Sequence, residues 1–152
     1  MRAQHELLHG RARVRPRSAL FPLEGYPCSR LPQWPGVEAR VLASPALGAG
    51  FVECLLEPKA EQGGAAEADG RVETFLYVVV GGVDLTIDGK KHPLQAGGYA
   101  LVPPTAGFAV RATSDSRLVM LKKAYEPLPG VAAPGLLVGD VARVPANVYL
   151  GD

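Results

Sequence analysis

Hydrophobic and polar positions alternate with a period of two through much of this chain. The pattern is cleanest at Val83, Leu85 and Ile87, which share one face, with Asp84, Thr86 and Asp88 on the other. Asp88-Gly89 follows, a pair whose turn matches the twist of paired strands. Upstream, VETFLYVVV runs from Val72 into Gly81-Gly82. Downstream, Gly97-Gly98-Tyr99 opens a strand that ends in Pro103-Pro104. The stretch from Val72 to Phe108 therefore predicts a hairpin that sets the inside and outside of a small barrel.

The same period predicts strands at Val37 to Ala43 and at Phe51 to Glu57. In the latter, Val52, Cys54 and Leu56 face inward, with Glu53 and Glu57 outside. Residues 107–112 and 117–123 read as two more strands, joined by the turn Thr113-Ser114-Asp115-Ser116. Residues 57–71, EPKAEQGGAAEADGR, read as a mobile polar loop rich in Gly and Ala. Seven or so short strands spaced by turns predict an all-β fold, a closed or nearly closed antiparallel β-barrel (jelly roll), because closure hides strand edges.

Both ends depart from this pattern. Residues 1–36 form a basic lead-in of N-terminal arm and edge strands. Arg11, Arg13, Arg15 and Arg17 alternate there, and Pro16, Pro22, Pro27, Pro32 and Pro35 exclude a long helix. One face of arginines is an anion-binding or interface arm, or a solvated edge strand whose charges discourage pairing; the latter is favoured, since no aromatic residues interleave with the arginines. Residues 37–123 hold the barrel. Residues 124–152 contain four Pro and four Gly and read as an extended C-terminal arm or linker.

Composition narrows the classes. A length of 152 residues suits one domain, and 47% hydrophobic with 20% charged residues is an ordinary globular mix. A net charge of +1 gives no global field toward nucleic acid or membrane. The longest apolar run, Phe75 to Val83, is too short to span a bilayer. Two unpatterned cysteines, Cys28 and Cys54, make no disulfide framework, and the N-terminus has no apolar signal core. A cytoplasmic setting is expected, with Cys54 packed as a small hydrophobe.

The central stretch resembles the cupin superfamily. Glu73, TFLYVVV and Gly81 match the carboxylate, apolar strand and glycine of its first motif. Gly98, YALVP, Pro104, the turn TAG and Phe108 match its second, with Phe108 at the histidine position. LPQWPGVEARVLASPALGAGFVECLLE, GGYALVPP and LKKAYEPLPGV further resemble the N-terminal half of the two-cupin (S)-ureidoglycine aminohydrolases, which release ammonia from (S)-ureidoglycine in allantoin breakdown. The resemblance implies a metal-free cupin here, with manganese and catalysis in a second cupin. The sequence stops at VYLGD, about where the linker to that second cupin is expected. No catalytic residue of the family has a matching position in this chain.

A cupin metal needs several N/O ligands converging inside the barrel. His5 and His9 lie in the lead-in, and His92 follows the Asp-Gly turn, where it is expected to be exposed. Phe108 cannot ligate. Glu67, Asp69 and Glu73 have the spacing of a cupin ligand trio and could hold a hard cation. Aligning instead on Gly81 shifts the register by one and yields Ala68, Gly70 and Thr74, which is no site. Tyr77, Tyr99 and Phe108 are candidates to line a pocket inside the barrel, although core packing is the commoner role. No nucleophile elbow, phosphate loop or paired-Cys motif is present.

Three functions follow. The first is a non-catalytic, oligomerising cupin of a ureidoglycine aminohydrolase-like protein, partnered by itself or by a catalytic cupin, with no cofactor in this chain. The second is a stand-alone cupin binding a small molecule such as a ureide, in a pocket lined by Val83, Leu85 and Ile87. The third is a metal-dependent hydrolase using Glu67, Asp69 and Glu73. Fold alone does not choose among them.

Overall fold

The computed structural model describes residues 13–15 and 18–146, and the regular structure among them is almost wholly antiparallel strands. In chain order these are β1 (Arg13–Arg15), β2 (Ser18–Leu20), β3 (Cys28–Ser29), β4 (Glu38–Ala43), β5 (Val52–Glu57), β6 (Gly63–Ala66), β7 (Val72–Val80), β8 (Gly82–Ile87), β9 (Lys90–Gln95), β10 (Gly98–Val102), β11 (Phe108–Ala112), β12 (Arg117–Ala124) and β13 (Leu137–Asp140). Three single-turn 3-10 helices are the only helical elements among the described residues.

Two sheets form the body. A seven-stranded sheet has the order β13-β10-β7-β12-β5-β4-β3, and a four-stranded sheet has the order β6-β11-β8-β9. Their inner faces share one core, which includes Leu56, Leu76, Val78 and Leu118 from the large sheet and Leu85, Val110 and Ala112 from the small one. The sheets are not joined into a hydrogen-bonded cylinder. This is a jelly roll with open edges rather than a closed barrel.

The stretch from 72 to 108 is not a single hairpin. β7 belongs to the large sheet and β8 to the small one, so the chain changes sheets at Gly81, whose φ is +80°. The true hairpin is β8–β9, closed at Asp88 (φ 49°) and Gly89 (φ 74°), with Leu85 opposite His92. The chain then returns to the large sheet at β10 and crosses again to β11. Alternating hydrophobicity identifies a strand, but it does not say which neighbour the strand pairs with.

Three segments read as peripheral join the body. Within the expected loop at 57–71, Gly63–Ala66 pairs with β11, Ala66 opposite Phe108. Small residues carry no strand pattern, so only the partner strand reveals this one. In the lead-in, Trp34 is 2% exposed and enters the core, while β3 pairs with β4. In the C-terminal arm, β13 pairs with β10 along Gly98–Leu101 and forms an edge of the large sheet. Among the arginines, Arg13 and Arg15 lie exposed in β1, and Arg11 and Arg17 lie outside the described residues.

Candidate functional site

Strand alternation decides which side chains reach the interior. In β7 the inward positions are Thr74, Leu76 and Val78, all buried, and in β12 they are Leu118, Met120 and Lys122. Lys122 stands opposite Thr74 in register. At this end of the jelly roll Thr74, Val102, Phe108 and Lys122 surround a small cavity of about 40 Å³, rimmed by Glu67 and Asp69. Phe108 is 7% exposed and Thr74 is 4% exposed. The Lys122 ammonium donates to Gln33 Oε1 at 3.1 Å. Beyond that contact opens an apolar groove of about 610 Å³, with Leu31, Phe51, Cys54 and Met120 among its walls.

The expected pocket linings divide. Phe108 does face the interior. Tyr77 and Tyr99 stand opposite each other in β7 and β10, on the side away from buried Leu76 and Ala100. They therefore lie on the outer face of the large sheet, where Tyr99 stacks with Phe75 at 6.1 Å. The run TFLYVVV is apolar on both faces, so the sequence offers no signal to separate them. Val83, Leu85 and Ile87 face inward, but they are 2%, 0% and 4% exposed and form packed core rather than a pocket wall.

The proposed metal trio does not converge. Glu73 points outward, one residue from inward Thr74. Asp69 turns its carboxylate to the Arg71 and Val72 N–H groups, at 2.8 and 2.9 Å. Those two donors hold its pKa below the ordinary carboxylate value. Glu67 is exposed. The inward placement of Thr74 agrees with the register anchored on Gly81. Among the described residues no group of three His, Cys, Asp or Glu side chains is placed to hold a metal ion. His92 is half-buried on β9, facing the same side as Leu85, and His5 and His9 lie outside the described residues. The interior end offers a phenyl ring, a threonine and an ammonium group, with the Glu67 and Asp69 carboxylates at its rim, and among the described residues this set does not supply the three convergent ligands a manganese ion needs.

Gln33 and Lys122 were not foreseen as site residues. The signal for Lys122 was available: RLVMLKK places a lysine in phase with the inward Leu118 and Met120. Gln33 reaches the site only through the path of the lead-in and has no local signature. The two thiols are free. Cys54 is 1% exposed, and burial raises its pKa. Cys28 is exposed and donates to Glu38 Oε1 at 2.9 Å, which raises its pKa.

A family model described as a cupin domain matches residues 53–122, the span from β5 to β12 that encloses this interior. The chain carries a cupin domain. Across 97% of its length this cupin chain is 32% identical to (S)-ureidoglycine aminohydrolase of Escherichia coli, of which it covers 58%. It superposes on the crystal structure of the protein YlbA from E. coli with a TM-score of 0.81 at 31% identity, over 93% of this chain and 60% of that one. It also superposes on KdgF from Halomonas with a TM-score of 0.58 at 18% identity, over 70% of this chain and 94% of that one, a likeness of fold alone. The cupin chain thus spans less than two thirds of the E. coli relative's length, and it is homologous to that part of it. No helix among its described residues is long and apolar enough to cross a membrane.

Proposed function

We propose that this chain is the non-catalytic, assembling cupin of an (S)-ureidoglycine aminohydrolase-type protein. In this reading manganese and ammonia release belong to a second cupin, on the same or another polypeptide. One observation carries it: nearly the whole chain matches a ureidoglycine aminohydrolase of which it covers 58%, while its own interior presents Thr74, Phe108 and Lys122 where a metal would need convergent ligands. A positively charged side chain at that position disfavours a dication by like-charge repulsion.

Co-purification with a chain corresponding to the uncovered part of the E. coli relative tests this. Manganese content and ammonia release from (S)-ureidoglycine are measured for each chain and for the mixture. The expected result is no manganese and no ammonia from this chain alone, and a stable complex that is active. Stoichiometric manganese or turnover in this chain alone, or failure to bind the other chain, would overturn the reading.

A further inference from the structure

The pairing of β5 with β12 sets Met120 opposite Cys54 and Lys122 opposite Val52. Met120 and Cys54 are buried, and they floor the apolar groove of about 610 Å³. Leu31 of the lead-in and Phe51, just ahead of β5, are half-buried and wall it. Lys122 comes one inward step after Met120, about 7 Å along the strand, and borders the groove. Gln33 and Lys122 also line the cavity of about 40 Å³ at Thr74 and Phe108, so their contact stands between the two spaces. The groove is therefore distinct from the end of the interior where a cupin metal would be expected.

We propose that this groove binds an amphipathic monocarboxylate, with its apolar body against Met120, Cys54, Phe51 and Leu31 and its carboxylate on the Lys122 ammonium. The charge on the lining is of one sign. Two lysines border the groove, and no carboxylate does among the described residues. Lys123 has Glu126 at 3.6 Å. Lys122 has no carboxylate within ion-pair distance among the described residues, and its ammonium donates to the neutral Gln33 Oε1 at 3.1 Å. An ammonium carries three N–H donors, so two remain for an anion, and the Gln33 amide nitrogen adds another beside them. Asp69, across the contact, gives its carboxylate to the Arg71 and Val72 N–H groups. Snorkelling accounts for a lysine stem along apolar surface. It does not account for a groove beside that stem within the range of about 300–1,000 Å³ usual for small-ligand sites. One charge-assisted contact at the border fixes the ligand's direction, and the Met120 thioether adapts to the shape of the body.

The site lies wholly in this chain, so it goes beyond the assembling role and is tested without the ammonia assay. Calorimetric titration with octanoate should show saturable binding of one molecule per chain. Octanol carries the body alone, octylamine the opposite charge and acetate the head alone, and each should bind at least tenfold more weakly. Lys122→Met keeps the stem and removes the charge. It should weaken octanoate by roughly 10- to 100-fold, the usual worth of a hydrogen bond to a charged group, and leave octanol unchanged, while Lys122→Arg should retain octanoate. Because a variant can fail to fold, the wild type supplies a second readout. Its two methionines are Met1 and Met120, so a spectrum of ¹³C-methyl-methionine chain should show the Met120 methyl shifting saturably with octanoate. Octanol binding as tightly as octanoate overturns the inference, as does an unshifted Met120 methyl or undiminished octanoate affinity in folded Lys122→Met. Should a second cupin chain shift the Met120 methyl where octanoate does not, the groove is a protein contact, and the inference is overturned while the assembling role stands.

Discussion

Trp34 lies directly over Gly64. A Cβ at Gly64 would stand 2.4 Å from Trp34 Cδ2 and 2.5 Å from the Gln33 carbonyl oxygen. Ala65 N donates to that same carbonyl at 3.0 Å, which fixes the lead-in against β6. Gly64→Ala should therefore destabilise the fold by forcing the indole or the backbone to move. Trp34→Ala should cost about 3–5 kcal/mol, the usual range for removing a buried aromatic side chain. Urea denaturation of each variant measures both, and a change below 1 kcal/mol in Trp34→Ala, about the size of an ordinary surface effect, would show that the contact is not structural.

The corner between the sheets depends on Ser116. Its hydroxyl accepts from Gly82 N–H at 3.0 Å and has the Ser114 carbonyl within 2.8 Å as an acceptor, in a site 8% exposed. Ser116→Ala should cost about 1–3 kcal/mol, because it leaves the buried Gly82 N–H without its partner. Gly81→Ala should cost more than an ordinary surface substitution, since φ is +80° and the new Cβ would stand 2.4 Å from Ser116 Oγ. Thermal melts of the two single variants and the double should show non-additivity, as the residues share one contact.

Thiol reactivity should separate the cysteines. Cys28 is exposed and Cys54 is buried, and both have raised pKa values, Cys28 from its hydrogen bond to Glu38 and Cys54 from burial. With Ellman's reagent the native chain should release one thiol equivalent slowly, and a second only after unfolding. Removing Cys28 should abolish the native signal. Raising the pH should speed it, as more thiolate forms.

Acid should destabilise the chain partly through Asp69 and Asp115. Asp69 is lowered by the Arg71 and Val72 N–H groups, and Asp115 by Lys59 and then the Ala60 N–H. A carboxylate with a depressed folded pKa contributes stability that is complete above its unfolded value of about 3.9. That contribution is lost as pH falls through the folded value, because the unfolded chain binds the proton first. Stability should therefore hold from neutral pH to roughly pH 5 and fall below about pH 4. Asp69→Asn and Asp115→Asn should each flatten that fall in pH-dependent urea titrations.

Chelator should leave the melting temperature unchanged, and added manganese should not raise it. A ligand that binds only the folded state raises stability in proportion to ln(1 + [L]/Kd), so calorimetry would detect a true site. A manganese-dependent rise would show that the Thr74, Phe108 and Lys122 end holds metal after all.

Much of the strand content was legible from period-two alternation, as at β8 and at the Asp88-Gly89 turn, where local chemistry suffices. β6 was not, because Gly63-Gly64-Ala65-Ala66 has no side-chain pattern and becomes a strand only where β11 supplies hydrogen bonds. The inside and outside of β7 were not legible either: with Phe75, Leu76, Tyr77 and Val78 all apolar, neither phase is marked. That single ambiguity misplaced Tyr77 and Tyr99 and left the register of Glu73 and Thr74 open.

By itself the sequence determined an all-β cupin chain, and through Phe108 and the absence of histidines from both motifs it weighed against a conventional metal centre. Those are properties of residue type and spacing. Only the tertiary structure decided that the chain changes sheets at Gly81, that Trp34 closes over Gly64, that Thr74 and Lys122 share the interior end, and that the aromatic rows of β7 and β10 face outward. Each of these depends on which distant strand lies alongside, and pairing between distant strands is fixed by packing rather than by any local pattern.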